Sequence, residues 1–340
     1  MAGVHAQAIR QTRARIVSLF DPKRGNAEAL AKEVGARSFA SAEEAILCPG
    51  VDAIIIASAS HTHANYVRLA VRYGKRVMCE KPLTENYEAA LELHRELGEE
   101  AKRVFLAFNR RYDPGHRRLW ERVRSGEVGD VKQLVIHNRD PFLPPRAYIE
   151  GSGGQFRDMM VHSFDLTRWI FGEEPVSIFA TGACVFEDWV GQAGDCDSTA
   201  ALLMTASGKI AWIAEARVSS FGYDQRIEAH GTKGMLLSDN LPQSQVKLFG
   251  PGGTDASYYA TDALKLFFLD RYGESYAKEI EAFVEVVLAD ADAPVNVHDG
   301  LRSTYIGEAA TRSFKAKRPI ELNDQSLFAD AAGEVGAAAG

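Results

Sequence analysis

Residues 51–82 read VDAIIIASASHTHANYVRLAVRYGKRVMCEKP, and this stretch decides the fold. Val51 to Ser58 reads as a strand around the continuous apolar run Ala53 to Ala57, the composition of a strand buried on both faces rather than the alternation of a half-exposed one. A helix is expected from about His61 to Tyr73, stopped by Gly74, the residue that best tolerates a left-handed conformation past a helix end. Arg76 to Glu80 is again a strand. Strand, helix and strand at this spacing make a βαβ unit with parallel strands.

The same alternation continues on either side. Arg15 to Phe20 reads as a strand, Asn26 to Val34 as a helix, Thr84 to Glu100 as a helix and Val104 to Phe108 as a strand. Ser41 with Glu44 forms a capping box for a short helix in between. The first hundred residues therefore predict an α/β domain with a doubly wound, Rossmann-type parallel sheet. Beyond about residue 130 the strands lengthen and alternate in polarity, as in Val131 to Asn138, Ser198 to Thr205, Ile210 to Ser219 and Tyr223 to His230. These predict a large, mostly antiparallel open sheet. Helices are expected at Gln155 to Phe171 and Tyr276 to Leu288, and the end from Asn323 to Gly340 has little to bury. The expected division is a nucleotide domain over 1–117, a substrate and assembly domain over 118–323, and a flexible tail over 324–340.

Composition narrows the function classes. The 340 residues are 46% apolar and 25% charged, enough to form ordinary cores. No apolar run approaches the roughly 20 residues that cross a bilayer, and Arg10, Arg13 and Arg15 precede any apolar leader segment. The 39 basic and 46 acidic residues leave a net charge of -7 with no basic tract, so neither nucleic acid nor a membrane is expected as a partner. Cys48, Cys79, Cys184 and Cys196 lack metal or redox spacing, which fits a reducing cytoplasm and no metal.

Asp21 closes the strand Arg15 to Phe20, where a doubly wound domain places the carboxylate that binds the adenosine ribose hydroxyls. A carboxylate there repels a 2′-phosphate, so NAD is expected over NADP, although Lys23 and Arg24 lie just beyond. The glycine-rich loop that precedes such a strand is missing, with only Ala2 in the place of its last small residue. Met1 to Ala8 already read as the helix after that loop. The expectation is that about 8 to 12 residues with the first strand and its Gly-x-Gly turn lie upstream, and that without them NAD binding and folding are weakened.

Three side chains are the candidates for chemistry, against the plainer alternatives of a solvated lysine at Lys81 and a metal-holding or surface pair at Asp158 and His162. Lys81 lies at the carboxyl end of a parallel strand within Glu80-Lys81-Pro82, where open α/β sheets place ligands. Pro82 fixes its backbone, with a cis bond a natural means of aiming the lysine. Asp158 and His162 are four apart on the expected helix and so share a face, with Asp165 one turn on. The run Gly151-Ser152-Gly153-Gly154 before them permits a sharp turn or close approach to a ligand. Oxidation of a secondary alcohol needs a base for the hydroxyl proton, a cation for developing alkoxide and a carboxylate to orient them. His162, Lys81 and Asp158 match those roles.

These motifs, with Val4-His5-Ala6, Asp21-Pro22, Ile54 to His63 and Arg110-Arg111-Tyr112-Asp113, resemble the glucose-fructose oxidoreductase, inositol dehydrogenase and rhizopine-catabolism family (Gfo/Idh/MocA) from Gly3 to about Leu322. The pairing of Glu80-Lys81-Pro82 with Asp-x-x-x-His is its most specific mark. His137-Asn138-Arg139-Asp140-Pro141, Phe156-Arg157-Asp158, Phe221 to Arg226 and Phe267 to Tyr272 are most similar to its inositol-oxidising branch. The resemblance implies NAD-dependent oxidation of a cyclic polyol, myo-inositol to 2-keto-myo-inositol, by Lys81, Asp158 and His162 in a homotetramer. It implies His137, Asp165 and Tyr223 beside the polyol and Ala2, Asp21, Ser58, His63, Glu80, Lys81 and Arg110 beside the cofactor. Ser163 stands where the inositol enzymes commonly carry Asp, which leaves room for another inositol isomer or a pyranose sugar. A non-catalytic NAD-binding regulator or a truncated remnant is the competing class, since this fold also serves as a sensor.

Overall fold

A computed structural model describes residues 1–249 and 259–322. The expected tail from Asn323 lies outside the described residues. The chain opens with helix α1 (Ala2–Ile9), then β1 (Ser18–Leu19), α2 (Arg24–Val34), β2 (Arg37–Ser38) and α3 (Ala42–Ile46). The Ser41–Glu44 capping box that starts α3 is formed in both directions. Next come β3 (Ala53–Ile56), α4 (His63–Arg72), β4 (Arg76–Glu80), α5 (Tyr87–Leu97) and β5 (Val104–Ala107). Gly74 takes φ 66° beyond α4, as its place after the helix requires.

Strands β3, β4 and β5 form one parallel sheet in that order, and β1 pairs with β2 in a second, smaller one. A doubly wound sheet has the order 3-2-1-4-5-6. The strands described here take its 3-2 and 4-5-6 places. A cavity of about 670 Å³ runs between the two parts, lined by Ile9, Val17, Leu19, Ile54, Ile56 and Phe283.

Helix α6 (Pro114–Arg124) leads into β6 (Val131–Arg139), α7 (Arg146–Gly151), α8 (Gln155–Asp158), α9 (Val161–Phe171), β7 (Pro175–Ala183) and α10 (Asp188–Gln192). Then follow β8 (Ser198–Thr205), β9 (Ile210–Ala216), β10 (Asp224–Gly231), β11 (Gly234–Ser238), the hairpin of β12 (Lys247–Phe249) and β13 (Tyr259–Thr261), α11 (Phe268–Leu288), α12 (Val297–Ala316) and β14 (Ile320–Glu321). Seven strands form the order β11-β10-β6-β9-β8-β7-β14. The sheet is mixed rather than wholly antiparallel: β6 and β9 run parallel at its centre, because the chain leaves β6 and returns only after two intervening strands. Its inner face packs on α9 and α12 through Leu134, Ile136, Phe164, Ile213 and Ile306.

Two expectations change. The helix foreseen over Gln155 to Phe171 is broken: the Met160 N–H reaches back five residues to the Gln155 carbonyl at 3.0 Å, so the turn widens between α8 and α9. Asp158 and His162 therefore flank a break rather than share a regular face. The late chain also returns to the first half, where Ile280 and Phe283 of α11 and Val297 of α12 join the core built on β4 and β5.

Candidate active site

Strand β4 is buried along its whole length, and this fixes where Lys81 emerges. Glu80, its last residue, lies 2.7 Å from His5 Nε2 through Oε1, and Oε2 accepts the Lys81 backbone N–H at 3.2 Å. The Lys81–Pro82 bond is cis. From there the Lys81 ammonium donates to the Asp158 carbonyl at 3.0 Å and to its Oδ1 at 3.4 Å. An ammonium has three donors, so one N–H is left for a substrate oxygen.

Asp158 is buried and multiply held. Tyr148 of α7, one turn of chain before the glycines, brings its hydroxyl to both carboxylate oxygens at 2.9 and 3.0 Å. The Arg217 guanidinium stands 3.5 Å from Oδ2. Burial, with the Asp158 charge second, pushes the Tyr148 phenol up and keeps it a donor.

His162 enters from α9 with its ring edge-on to Phe108 at 5.9 Å. Its Nδ1 is buried without a hydrogen-bond partner among the described residues. Burial first, then the charges of Arg110 and Lys81, push its pKa well below the ordinary imidazole value. It is therefore a neutral base at neutral pH.

Behind these lies a polar layer that sequence reading missed. Glu215 of β9 accepts from Ser163 Oγ at 2.6 Å and from Asn138 Nδ2 at 3.0 Å. Burial raises its pKa to about 7. Asn138 Oδ1 accepts from Arg110 at 3.3 Å and from Gln225 at 2.6 Å, and Gln225 in turn accepts from the Tyr272 hydroxyl at 2.9 Å. Asp140, at the end of β6, is pushed up to about 6 by burial, against the charges of Arg110 and Arg217. The signal for Glu215 was present: along IAWIAEA it takes an inward position that alternation assigns to the core. Tyr148 and Arg217 carried no such mark.

Among the remaining expected residues, Ala2, Asp21 and Ser58 line the cavity between the two parts of the first sheet. Asp21 Oδ1 accepts the Lys23 N–H at 2.7 Å and fixes the turn. Tyr223 is buried against Tyr272 near Arg110 and Asp140. Four of the expected residues are engaged by the protein itself. His63 has Nδ1 2.8 Å from the Pro82 carbonyl and Nε2 3.1 Å from that of Ser58, so it clasps two loops behind the site instead of lining it. Arg110 is buried, donating to Asn138 Oδ1 at 3.3 Å and lying over the Tyr272 ring. Asp165 binds Arg111 with both oxygens at 2.5 and 2.8 Å, a buried staple between the turn after β5 and α9. His137 Nδ1 is bonded to the Arg139 guanidinium at 3.2 Å on the central strand β6.

Comparison with known proteins agrees with this architecture. The model of the oxidoreductase family with an NAD-binding Rossmann fold, GFO/IDH/MocA, matches residues 1–108, and that of the GFO/IDH/MocA C-terminal domain matches 116–237. An inositol 2-dehydrogenase of Rhizobium meliloti is 37% identical over 94% of this chain and 95% of its own. A myo-inositol dehydrogenase structure from Corynebacterium glutamicum superposes with TM-score 0.89 at 34% identity, covering 94% of this chain and 95% of that one. The structure of scyllo-inositol dehydrogenase from Lactobacillus casei with bound NAD(H) and scyllo-inositol gives TM-score 0.84 at 25% identity, over 95% and 96% of the two chains.

Proposed function

The chain belongs to the Gfo/Idh/MocA family of NAD-binding oxidoreductases, and from that premise we propose that it oxidises one secondary hydroxyl of a cyclic polyol, converting myo-inositol to 2-keto-myo-inositol. The observation that carries the reading is the Lys81 ammonium held on Asp158 with one donor free, at the mouth of a parallel strand and beside a neutral His162.

The residues present suit NAD. Met1, Ala2 and Gly3 are exposed on the first turn of α1, and a Cβ built on Gly3 meets nothing within 4 Å. The free amides of a helix start thus face open space beside Asp21 and Ser58, the pairing that phosphate and ribose recognition use. When bound, NAD supplies the acceptor for the carbinol hydride. The third N–H of Lys81 binds the hydroxyl oxygen and stabilises the alkoxide character that develops there. Nε2 of His162, across the ring from buried Nδ1, takes the hydroxyl proton. Asp158 keeps the lysine aimed, and Tyr148 helps to keep Asp158 in place.

The outer face of the large sheet supports a homo-oligomer, with a tetramer as the proposed form. Trp212 is cross-strand to Leu202, which is cross-strand to Phe179, so the three line one row of one face. Trp212 and Phe179 are 39% and 38% exposed, large apolar residues on a surface that a second copy would cover. No helix among the described residues is long and apolar enough to cross a membrane. The four cysteines are unpaired, which supports a reducing, cytoplasmic setting.

The test is NADH formation by the purified chain with myo-inositol, other inositol isomers and aldopyranoses. Turnover highest with myo-inositol supports the reading. Turnover confined to a pyranose or to another isomer moves the substrate, and binding of NAD without turnover of any polyol overturns the enzymatic reading.

A further inference from the structure

We propose that Arg217 and Asp195 are positioning residues, which lock the Asp158 carboxylate in the orientation that Lys81 requires; this rests on the assignment of Lys81, Asp158 and His162 above.

Arg217 follows β9 directly, with its backbone N–H donating to the Asp197 carbonyl at 2.7 Å. Its side chain is 1% exposed, and a guanidinium so deep needs carboxylates around it. Nε and one terminal nitrogen donate to Asp195 Oδ2 at 3.1 and 2.9 Å. The other terminal nitrogen stands 3.5 Å from Asp158 Oδ2. Asp195 uses its second oxygen elsewhere: Oδ1 accepts the backbone N–H of Gln155 at 2.8 Å.

Gln155 opens α8 and Asp158 ends it. The contacts therefore close a ring, from the start of α8 to Asp195, to Arg217, to Asp158 and back along the helix. Gly154 permits the closure. It sits at φ 91°, where a side chain is strained, and a Cβ there would come 3.3 Å from Asp195 Oδ1.

The ring matters because of what else holds Asp158. Oδ1 is engaged by Lys81 and Tyr148, whereas Oδ2 has Tyr148 and Arg217 alone among the described residues. Tyr148 belongs to a short helix and is 49% exposed, a weak anchor by itself. Without Arg217 the carboxylate is free to turn about its own axis, and Lys81, bonded to it, moves too. Neither residue reaches the reacting atoms; both act through Asp158.

The experiment compares the full chain with Arg217→Met, Arg217→Lys, Asp195→Asn and His162→Ala, measuring kcat, KM for NAD and thermal midpoint. Arg217→Met is expected to lower kcat by about 10²-fold, as a misplaced group does. KM for NAD should stay within about twofold. Arg217→Lys should restore part of kcat, since an ammonium keeps the charge but cannot bridge two carboxylates as a planar fork does. Asp195→Asn should act in the same direction as Arg217→Met, less strongly, and with Arg217→Lys it carries the test if Arg217→Met does not fold. A parental kcat in the folded variants, an Arg217→Lys rate no better than that of Arg217→Met, or a loss of rate that follows only the loss of folded protein, overturns the proposal. If His162→Ala keeps the parental rate, the site assignment itself falls; if His162→Ala is slow while the Arg217 and Asp195 variants are normal, only the positioning role falls.

Discussion

Lys81 reaches Asp158 at two atoms, the backbone carbonyl at 3.0 Å and the carboxylate Oδ1 at 3.4 Å, although 77 positions separate them in the chain. The double contact holds the ammonium against one residue from both sides. Lys81→Met should therefore remove the alkoxide-stabilising cation while leaving NAD affinity within a fewfold, with kcat down by about 10²- to 10³-fold, the range for loss of one donor to a developing oxyanion. Steady-state kinetics with varied NAD and varied polyol separate the two effects. A loss confined to KM for NAD would place Lys81 on the cofactor instead.

His162→Ala should reduce kcat by about 10²- to 10⁴-fold, the usual worth of a general base. Burial, Arg110 and Lys81 keep the imidazole neutral well below its ordinary range, so its base form is fully present at neutral pH. The acidic limb that His162 contributes to kcat/KM should accordingly lie below pH 6.5. A parental rate in the variant contradicts the assignment.

Asp21→Ser should narrow the preference for NAD over NADP, because it removes the carboxylate that repels a 2′-phosphate while Lys23 and Arg24 remain beside it. The ratio of kcat/KM values for the two cofactors is the measurement. An unchanged ratio would shift cofactor choice to other residues.

Glu215 gives the fold a pH dependence of defined sign. Its pKa is raised to about 7 in the folded chain from 4.5. Folding therefore costs nothing at this group below pH 4.5, where both states are protonated. The cost grows as pH rises and is complete above pH 7, at about 3 kcal/mol. Glu215→Gln should flatten this slope, read as the urea midpoint against pH. An equal slope in the variant would assign it to another group.

Trp212→Asp should dissociate the proposed homo-oligomer, since it places a charge on the exposed apolar row shared with Leu202 and Phe179. Light scattering at micromolar concentration gives the mass. A parental mass in the variant would move the interface to another face.

Legibility followed the range of the interactions. Apolar runs and local punctuation are written into neighbouring residues, so the strand Arg76–Glu80, the Ser41–Glu44 cap and the stop at Gly74 were all readable from the sequence. Helix α12 was missed although Asn296 and Asp299 form its capping box, because its apolar residues face both the large sheet and the first core and so blur the period. The break between α8 and α9 was unreadable, since Gln155-Phe156-Arg157-Asp158 has no helix breaker.

The amino-acid sequence by itself determined the α/β class, the strand end that carries Lys81, and the three groups an alcohol oxidation needs, because each depends on residue type and short spacing. Only the tertiary structure decided which acids serve that site. Asp165, close to His162 in the chain, is taken by Arg111, while Arg217 and Tyr148 arrive from separate elements to hold Asp158. A buried charge settles with whichever opposite charge the packing brings within reach, and that distance is set by the meeting of β9, α7 and α8 in space rather than by their order along the chain.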